Sequence, residues 1–263
     1  MMTDRCSFST GALYPLESER ALQLLSEAGF KHAELMPQAF ADVDGKAALR
    51  YERAGIHIAS IHYPLAMFAM LYSAHSTMAA EGMRLSADIV RLASQMQTEF
   101  IVIHPTTSYT PEMRPHLEPR ILENIRYLAN LCEQQGITIA MENYPSGVGQ
   151  FPDTLQAYIA SLGLSCVKPM VDTTEVCEGG GDPVAFLRAI EPCPCHLHLS
   201  DFKEGKKHLP AGEGAIAWDE VKAVLDAKGY SGYYTLEPSY KHYLEDIPAR
   251  LHKAYEFARR VFG

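Results

Sequence analysis

Eight short apolar segments alternate with eight longer amphipathic ones along this chain, and that rhythm restricts its fold more than any other property. The apolar segments, at residues 5–9, 33–36, 56–62, 100–104, 138–143, 167–172, 196–201 and 233–237, close on a polar residue in seven of eight cases and often precede Pro or Gly. Runs of that length and character read as strands. Between and after them, residues 18–28, 44–54, 76–96, 118–135, 154–161, 183–189, 219–227 and 248–261 read as helices. The first begins at Ser18, sets Leu22, Leu25 and Ala28 on one face, and stops at Gly29. Gly55, Gly136, Gly163 and Gly229 close others in the same way. Strict alternation calls for parallel strands with helical crossovers. Eight repeats in 263 residues close most readily as a (β/α)₈ barrel, so residues 1–263 are expected to form one α/β domain. An open doubly wound sheet would carry a Gly-rich phosphate loop after its first strand, and Ser9-Thr10-Gly11-Ala12 is no such loop. With 47% hydrophobic residues the chain can fill a core of that size.

The charge balance narrows the partners. Lys and Arg number 23 against 32 Asp and Glu, a formal charge of −9, and the only basic concentration is the short stretch 203–207. A phosphate-backbone binder would show a basic face, so nucleic acid is not expected and a small molecule is. The N-terminal Met-Met-Thr-Asp-Arg-Cys has no apolar signal region, and no apolar run approaches membrane-spanning length. Six cysteines include no Cys-x-x-Cys pair, and Cys193 and Cys195 merely flank a proline, which suits reduced thiols. The expectation is a cytoplasmic protein without membrane contact. Self-association into a homo-oligomer is compatible with the sequence, which fixes no symmetry.

In a barrel the chemistry sits at the C-terminal strand ends. Those ends carry Glu34, His62, His104, Glu142, Asp172, His198 and Glu237. One such residue says little. Glu34, in His-Ala-Glu-Leu-Met-Pro, is as well explained by a helix cap or a solvated loop, and His104, in Ile-Val-Ile-His-Pro, by a structural role. The set says more, because carboxylates gathered in one mouth repel unless a positive centre sits among them. A divalent cation is the simplest such centre.

These residues resemble a known family. Ile-Ala-Met-Glu142-Asn-Tyr-Pro, Met-Val-Asp172-Thr, His-Leu-His198-Leu-Ser-Asp201, Gly212-Glu-Gly214 and Tyr-Thr-Leu-Glu237-Pro are similar to the signature strands of the xylose isomerase-like barrel superfamily. That group holds sugar and sugar-phosphate isomerases and epimerases, hydroxypyruvate isomerase, inosose and dehydroshikimate dehydratases, and endonuclease IV. The resemblance implies a metal held by Glu142, Asp172, His198 and Glu237, with His196 supporting His198 from one layer below. It also marks departures. Endonuclease IV has a further metal-binding His where this chain has Glu175, and an Asp-x-His pair where it has Lys206 and His208. His62 and His104 do match two of its ligands, but a full trinuclear cluster is not expected. Epimerases often place an Arg where Glu204 stands, so that contact falls to Lys203 or His208.

Three carboxylates and one imidazole form an oxygen-rich set that suits Mn²⁺, with Mg²⁺, Co²⁺ or Zn²⁺ as alternatives. Such a cation can polarise an α-hydroxy carbonyl and stabilise the enediolate left by proton loss. The expected activity is therefore a metal-dependent isomerase or epimerase of a small sugar-like hydroxy-carbonyl compound. Glu142 and Glu237 are the expected acid–base pair, and His62, His104, Glu175, Lys203 and His208 the expected substrate contacts. Tyr144 and Phe8 are candidate pocket walls, while Trp218 fits packing at the start of its helix. Competing readings are a lyase that dehydrates a cyclic polyol ketone such as inosose or dehydroshikimate, a phosphodiesterase, and a sugar-binding barrel without turnover.

Overall fold

The computed structural model describes residues 5–105 and 112–263; residues 1–4, part of the N-terminal stretch read above for a signal, lie outside it. Its centre is a parallel barrel. The strands are β1 (Cys6–Ser9), β2 (His32–Leu35), β3 (His57–His62), β4 (Phe100–Ile103), β5 (Thr138–Met141), β6 (Val167–Pro169 continued by Val171–Asp172), β7 (Leu197–Leu199) and β8 (Tyr234–Leu236). β1 pairs with β2 on one side and with β8 on the other, Cys6 standing opposite Tyr234. The ring closes through β6. Its first part pairs with β5, Val167 opposite Ile139, and its second with β7, Asp172 opposite His198.

A continuous strand was expected over 167–172, and the observed strand is interrupted at Met170. The backbone there changes partner: Met170 N–H donates to Met141 O at 3.0 Å, and Val171 N–H to His196 O at 3.3 Å. Pro169 contributes no N–H to either ladder.

Around the barrel run α1 (Ser18–Ala28), α2 (Ala47–Tyr51), α3 (Ser76–Gln95), α4 (Arg114–Gln135), α5 (Pro152–Leu162), α6 (Pro183–Ala189), α7 (Trp218–Ala227) and α8 (Ile247–Phe262). The eight expected helices are present. α2 is shorter than the 44–54 expected, because its C-terminal turn tightens to 3₁₀ over Glu52–Ala54 before Gly55. α4 begins four residues earlier than expected; Pro115 falls in its first turn, where a missing N–H costs little, whereas Pro119 lies inside the helix. Two further short helices, Phe68–Leu71 and Thr173–Glu178, follow β3 and β6. No helix among the described residues is long and apolar enough to cross a membrane.

Strand alternation sorts the side chains. Ile101, Ile103, Ile139 and Met141 face outward and join the large core beneath the helices, whereas Val102, Ala140 and Met170 form a separate small apolar cluster. Two residues further on, the same inward rows reach His104, Glu142 and Asp172. The inward face of β7 and β8 repeats this step from His196 to His198 and from Thr235 to Glu237. An inner layer of modest side chains thus carries a layer of ionisable ones at the mouth.

The segment expected as one strand over 196–201 ends at Leu199, and Asp201–Lys203 instead pairs antiparallel with Lys206–Leu209. Glu204 (φ 52°) and Gly205 (φ 76°) form the two-residue turn, both in the left-handed region that such hairpins require. Asp201 anchors the loop beyond. Its buried carboxylate accepts from Phe202 N–H and Ile216 N–H at 3.0 Å each, and from Gly212 N–H and Trp218 Nε1–H at 2.9 Å each. A Cβ on Gly214 would come 2.2 Å from Asp201 Oδ1, so only glycine allows this approach. Asp201→Asn keeps one acceptor oxygen for four donors, and is expected to cost about 2–4 kcal/mol. Thermal or urea unfolding checks this; an unchanged midpoint would contradict the anchoring role.

Candidate metal centre and pocket

His198, at the end of β7, is the hub of the mouth. Its ring is fully buried, and its Nδ1 lies 2.8 Å from Glu237 Oε2, 3.0 Å from Glu142 Oε1 and 4.0 Å from Asp172 Oδ2. Parallel pairing of β7 with both β6 and β8 produces this convergence, because it sets His198 beside Asp172 and opposite Thr235, two residues before Glu237. One donor atom from each of Glu142, Asp172, His198 and Glu237 lies within 4.8 Å of the others. The four residues singled out in the sequence are therefore brought together.

The ring's other nitrogen, Nε2, is 3.0 Å from the carboxylate of Glu34. Glu34 also accepts from Ser60 Oγ–H at 2.8 Å and lies 3.1 Å from His196 Nε2, with no solvent exposure. The cap or loop role that the sequence equally allowed for Glu34 is therefore excluded. Burial would raise its pKa, but the His198 charge and the hydrogen bonds from His196 and His198 outweigh it and hold the carboxyl well below its usual range. His196, fully buried, is lowered by burial despite that contact. It does touch the support of His198, as expected from its place two residues earlier.

The electrostatics are those of carboxylates crowded into a dry site. Burial opposes the charged form of His198, yet Glu237, Glu34 and Glu142 raise its pKa well above normal. Glu142 is held well below its usual range: burial pushes it up, and His198 and His104 overcome that. Asp172 behaves differently. Burial pushes it up to about 8, with Glu142 and Glu175 adding to the rise. One of its oxygens, Oδ1, accepts from Glu175 N–H at 2.9 Å and so caps the helix Thr173–Glu178. The other, Oδ2, is buried with no hydrogen-bond partner and faces the cluster. Three carboxylates, one imidazole and an unsatisfied buried oxygen fit a divalent cation, and Glu142, Asp172, His198 and Glu237 could hold it.

The remaining expected site residues divide. His62 Nε2 is 3.6 Å and His104 Nε2 3.1 Å from Glu142 Oε2, and the two rings meet edge to face at 5.4 Å. Burial lowers His62, but the Glu142 hydrogen bond and neighbouring carboxylates raise it overall. Glu175 Oε1 lies 3.2 Å from His208 Nε2, and His208 Nδ1 lies 3.3 Å from Ser200 Oγ. Burial depresses His208 but Glu175 and Asp172 reverse the effect, lifting it to about 9. His208 is held at φ 50°, a strained setting for a side chain-bearing residue. His62, His104, Glu142, Glu175, His208 and Glu237 all line one cavity of about 220 Å³ at the mouth.

Lys203 does not join them. It is exposed on the hairpin and is not among the residues lining that cavity. Tyr144 stands at the rim, its ring 5.6 Å from His104. Phe8 is not a pocket wall: it is fully buried between Phe30 and Tyr243. Trp218 packs at the start of α7 against Phe257, as expected.

Comparison with known proteins agrees with the barrel fold. The family described as a xylose isomerase-like TIM barrel matches residues 22–261. Among solved structures, the 3-keto-D-glucoside 4-epimerase YcjR from E. coli superposes with a TM-score of 0.78 at 14% identity, covering 98% of this chain and 100% of that one. A D-psicose 3-epimerase from Clostridium cellulolyticum H10, solved with D-tagatose, gives 0.77 at 14% identity, with 98% and 99% covered. A D-tagatose 3-epimerase-like protein gives 0.75 at 20% identity, with 98% and 96% covered.

Proposed function

The chain belongs to the xylose isomerase-like TIM barrel family, and on that premise we propose that it is a metal-dependent isomerase or epimerase of a small sugar. The observation that carries the reading is the convergence of Glu142, Asp172 and Glu237 on His198 at the barrel mouth. Structural neighbours that are sugar 3- and 4-epimerases support it. When bound, a divalent cation would supply Lewis-acid polarisation of the substrate carbonyl.

The rest belongs to the side chains. Glu142 and Glu237 are the proton carriers: one, as carboxylate, takes the proton from the carbon beside the carbonyl, and the other, as carboxylic acid, donates its own proton to the opposite face or to the neighbouring carbon, so that the two exchange protonation states. His62 and His104 hold Glu142 in place and offer hydrogen bonds to substrate hydroxyls. The Glu175–His208 pair does the same from the loops after β6 and β7. Glu34 fixes the orientation of the His198 ring through Nε2, leaving Nδ1 for the cation.

The direct test is proton NMR of a ketose panel in D₂O with manganese-loaded enzyme. Deuterium appearing at a carbon next to the carbonyl, with an epimer or aldose as product, is the expected result. An alkene-containing product would favour the dehydratase reading, and no exchange with any ketose would remove the proposal.

A second expectation follows from charge. At pH 7 the metal-free site carries a proton on Asp172, raised to about 8, and on His198, raised well above its usual value. A cation must displace both, so binding should release protons at pH 7 and tighten as the pH rises toward 8. Calorimetry in buffers of different ionisation enthalpy reads the release. Binding without proton release would contradict this ligand set.

A further inference from the structure

We infer that the substrate is a neutral sugar unit, free of phosphate and carboxylate, carrying an apolar substituent at the end that points out of the barrel. This rests on the sugar isomerase or epimerase reading above and specifies what that site accepts.

The first observation is that, among the described residues, neither Lys nor Arg lines the cavity. The connections that follow the strands at 10–17, 63–75, 104–113, 142–151 and 173–182 contain neither Lys nor Arg. The other three, at 36–46, 200–217 and 237–246, contain no Arg and only Lys46, Lys203, Lys206, Lys207 and Lys241. All of these lysines are exposed, none lines the cavity, and Lys207 is engaged with Glu178 at 2.7 Å. The cavity's own ionisable lining is Glu142, Glu175 and Glu237 with three histidines. A phosphate group brings roughly −1.5 to −2 charges and is ordinarily met by Arg forks, Lys or helix N-termini. The helix starting at Thr173 already has a first-turn N–H taken by Asp172. Three carboxylates around a divalent cation still leave the site net negative. A phosphorylated or carboxylated sugar would meet repulsion here, because the histidines already face carboxylates of the site, His208 at Glu175 and His62 and His104 at Glu142.

The second observation is the apolar part of the lining. Ala12, Met36, Leu65, Pro238 and Tyr240 line the same cavity, and part of this set is exposed at its rim. Tyr14 meets Tyr240 edge to face at 5.2 Å, and Leu65 and Tyr14 are 51% and 47% exposed. At about 220 Å³ the cavity is smaller than the sites of drug-sized ligands, which run to roughly 300–1,000 Å³. One sugar unit fills it, and anything attached to that unit must lie on the Leu65–Tyr14–Tyr240 ledge. An apolar group gains from covering that ledge, whereas a charged one does not.

The test compares D-fructose, its 6-O-benzyl ether and its 6-phosphate as substrates of the manganese-loaded enzyme, using kcat/KM for deuterium exchange. The benzyl ether is expected to exceed the free sugar by ~10-fold, and the phosphate to fall below it by ~100-fold. Leu65→Lys should erase the benzyl advantage and narrow the phosphate penalty. A phosphate ester used as well as the free sugar, or a benzyl ether used no better, overturns the inference while leaving the sugar reading intact. If none of the three is turned over, the sugar reading is decided by the ketose panel above. Their affinities for the metal-loaded protein then decide this inference separately, tighter binding of the phosphate overturning it.

Discussion

Replacing Glu142 or Glu237 by Gln is expected to reduce turnover by ~10²–10⁴-fold, the range associated with loss of a positioned acid or base. Each substitution also takes a charged oxygen away from the four-residue cluster, so cation affinity should fall with activity. The two consequences can be separated. Measured at saturating manganese, a residual defect in kcat reports the proton-transfer role, and a defect that vanishes reports metal binding alone. Stability supplies a further check. In the metal-free protein, Glu34 still braces His198 after either change, and the crowding of carboxylates is relieved. The melting midpoint of Glu237→Gln should therefore stay near that of the unaltered protein, Glu237 being the least buried member of the cluster. Near-normal turnover of both variants at saturating metal would remove these residues from the chemistry.

Glu34→Gln is expected to act in the opposite sense, on stability first. Glu34 is fully buried and receives the Ser60 hydroxyl and two histidine rings on one carboxylate. A carboxamide offers one acceptor and turns an NH₂ group toward ring nitrogens, leaving buried imidazoles without their counter-charge. Breaking a buried pair in this way costs about 3–5 kcal/mol. Cation affinity should also fall by ~10–100-fold, as is usual when the partner that orients a metal-bound histidine is lost. Chemical unfolding of the metal-free protein and a manganese titration read the two effects. A destabilisation below about 1 kcal/mol would show that Glu34 is a bystander.

Glu34 also marks the limit of what the sequence makes legible. The strands can be read because a buried parallel strand is a short apolar run, and the site can be read because seven of the eight runs carry an ionisable residue at or near their ends. Glu142, Asp172, His198 and Glu237 all stand out on that basis. Glu34 stands out no less, but its partners Ser60, His196 and His198 are 26, 162 and 164 residues away, and only barrel closure brings them near. His208 was marked as a substrate contact, yet its pairing with Glu175 across 33 residues is not visible in either segment. Other features carried a local signal that went unused. Asp172-Thr-Thr-Glu175 is a helix-start pattern, and the helix does begin there, giving Asp172 two roles on its two oxygens. Glu204-Gly205 between two alternating segments is a hairpin pattern, and that hairpin is what turns Lys203 away from the mouth. The interruption of β6 at Met170 is marked in the sequence only by Pro169, which does not tell which partner each half takes. It arises from a change of strand partner, a property of the closed ring.

The proposed chemistry depends on a cation held among Glu142, Asp172, His198 and Glu237. Anomalous diffraction at the manganese edge, from crystals of the protein soaked with Mn²⁺, tests that most directly. One strong peak per chain, within bonding distance of His198 Nδ1 and an oxygen of each of the three carboxylates, is the predicted result. A mouth without a peak at full soak, or a peak that leaves Asp172 and Glu237 unligated, would contradict it.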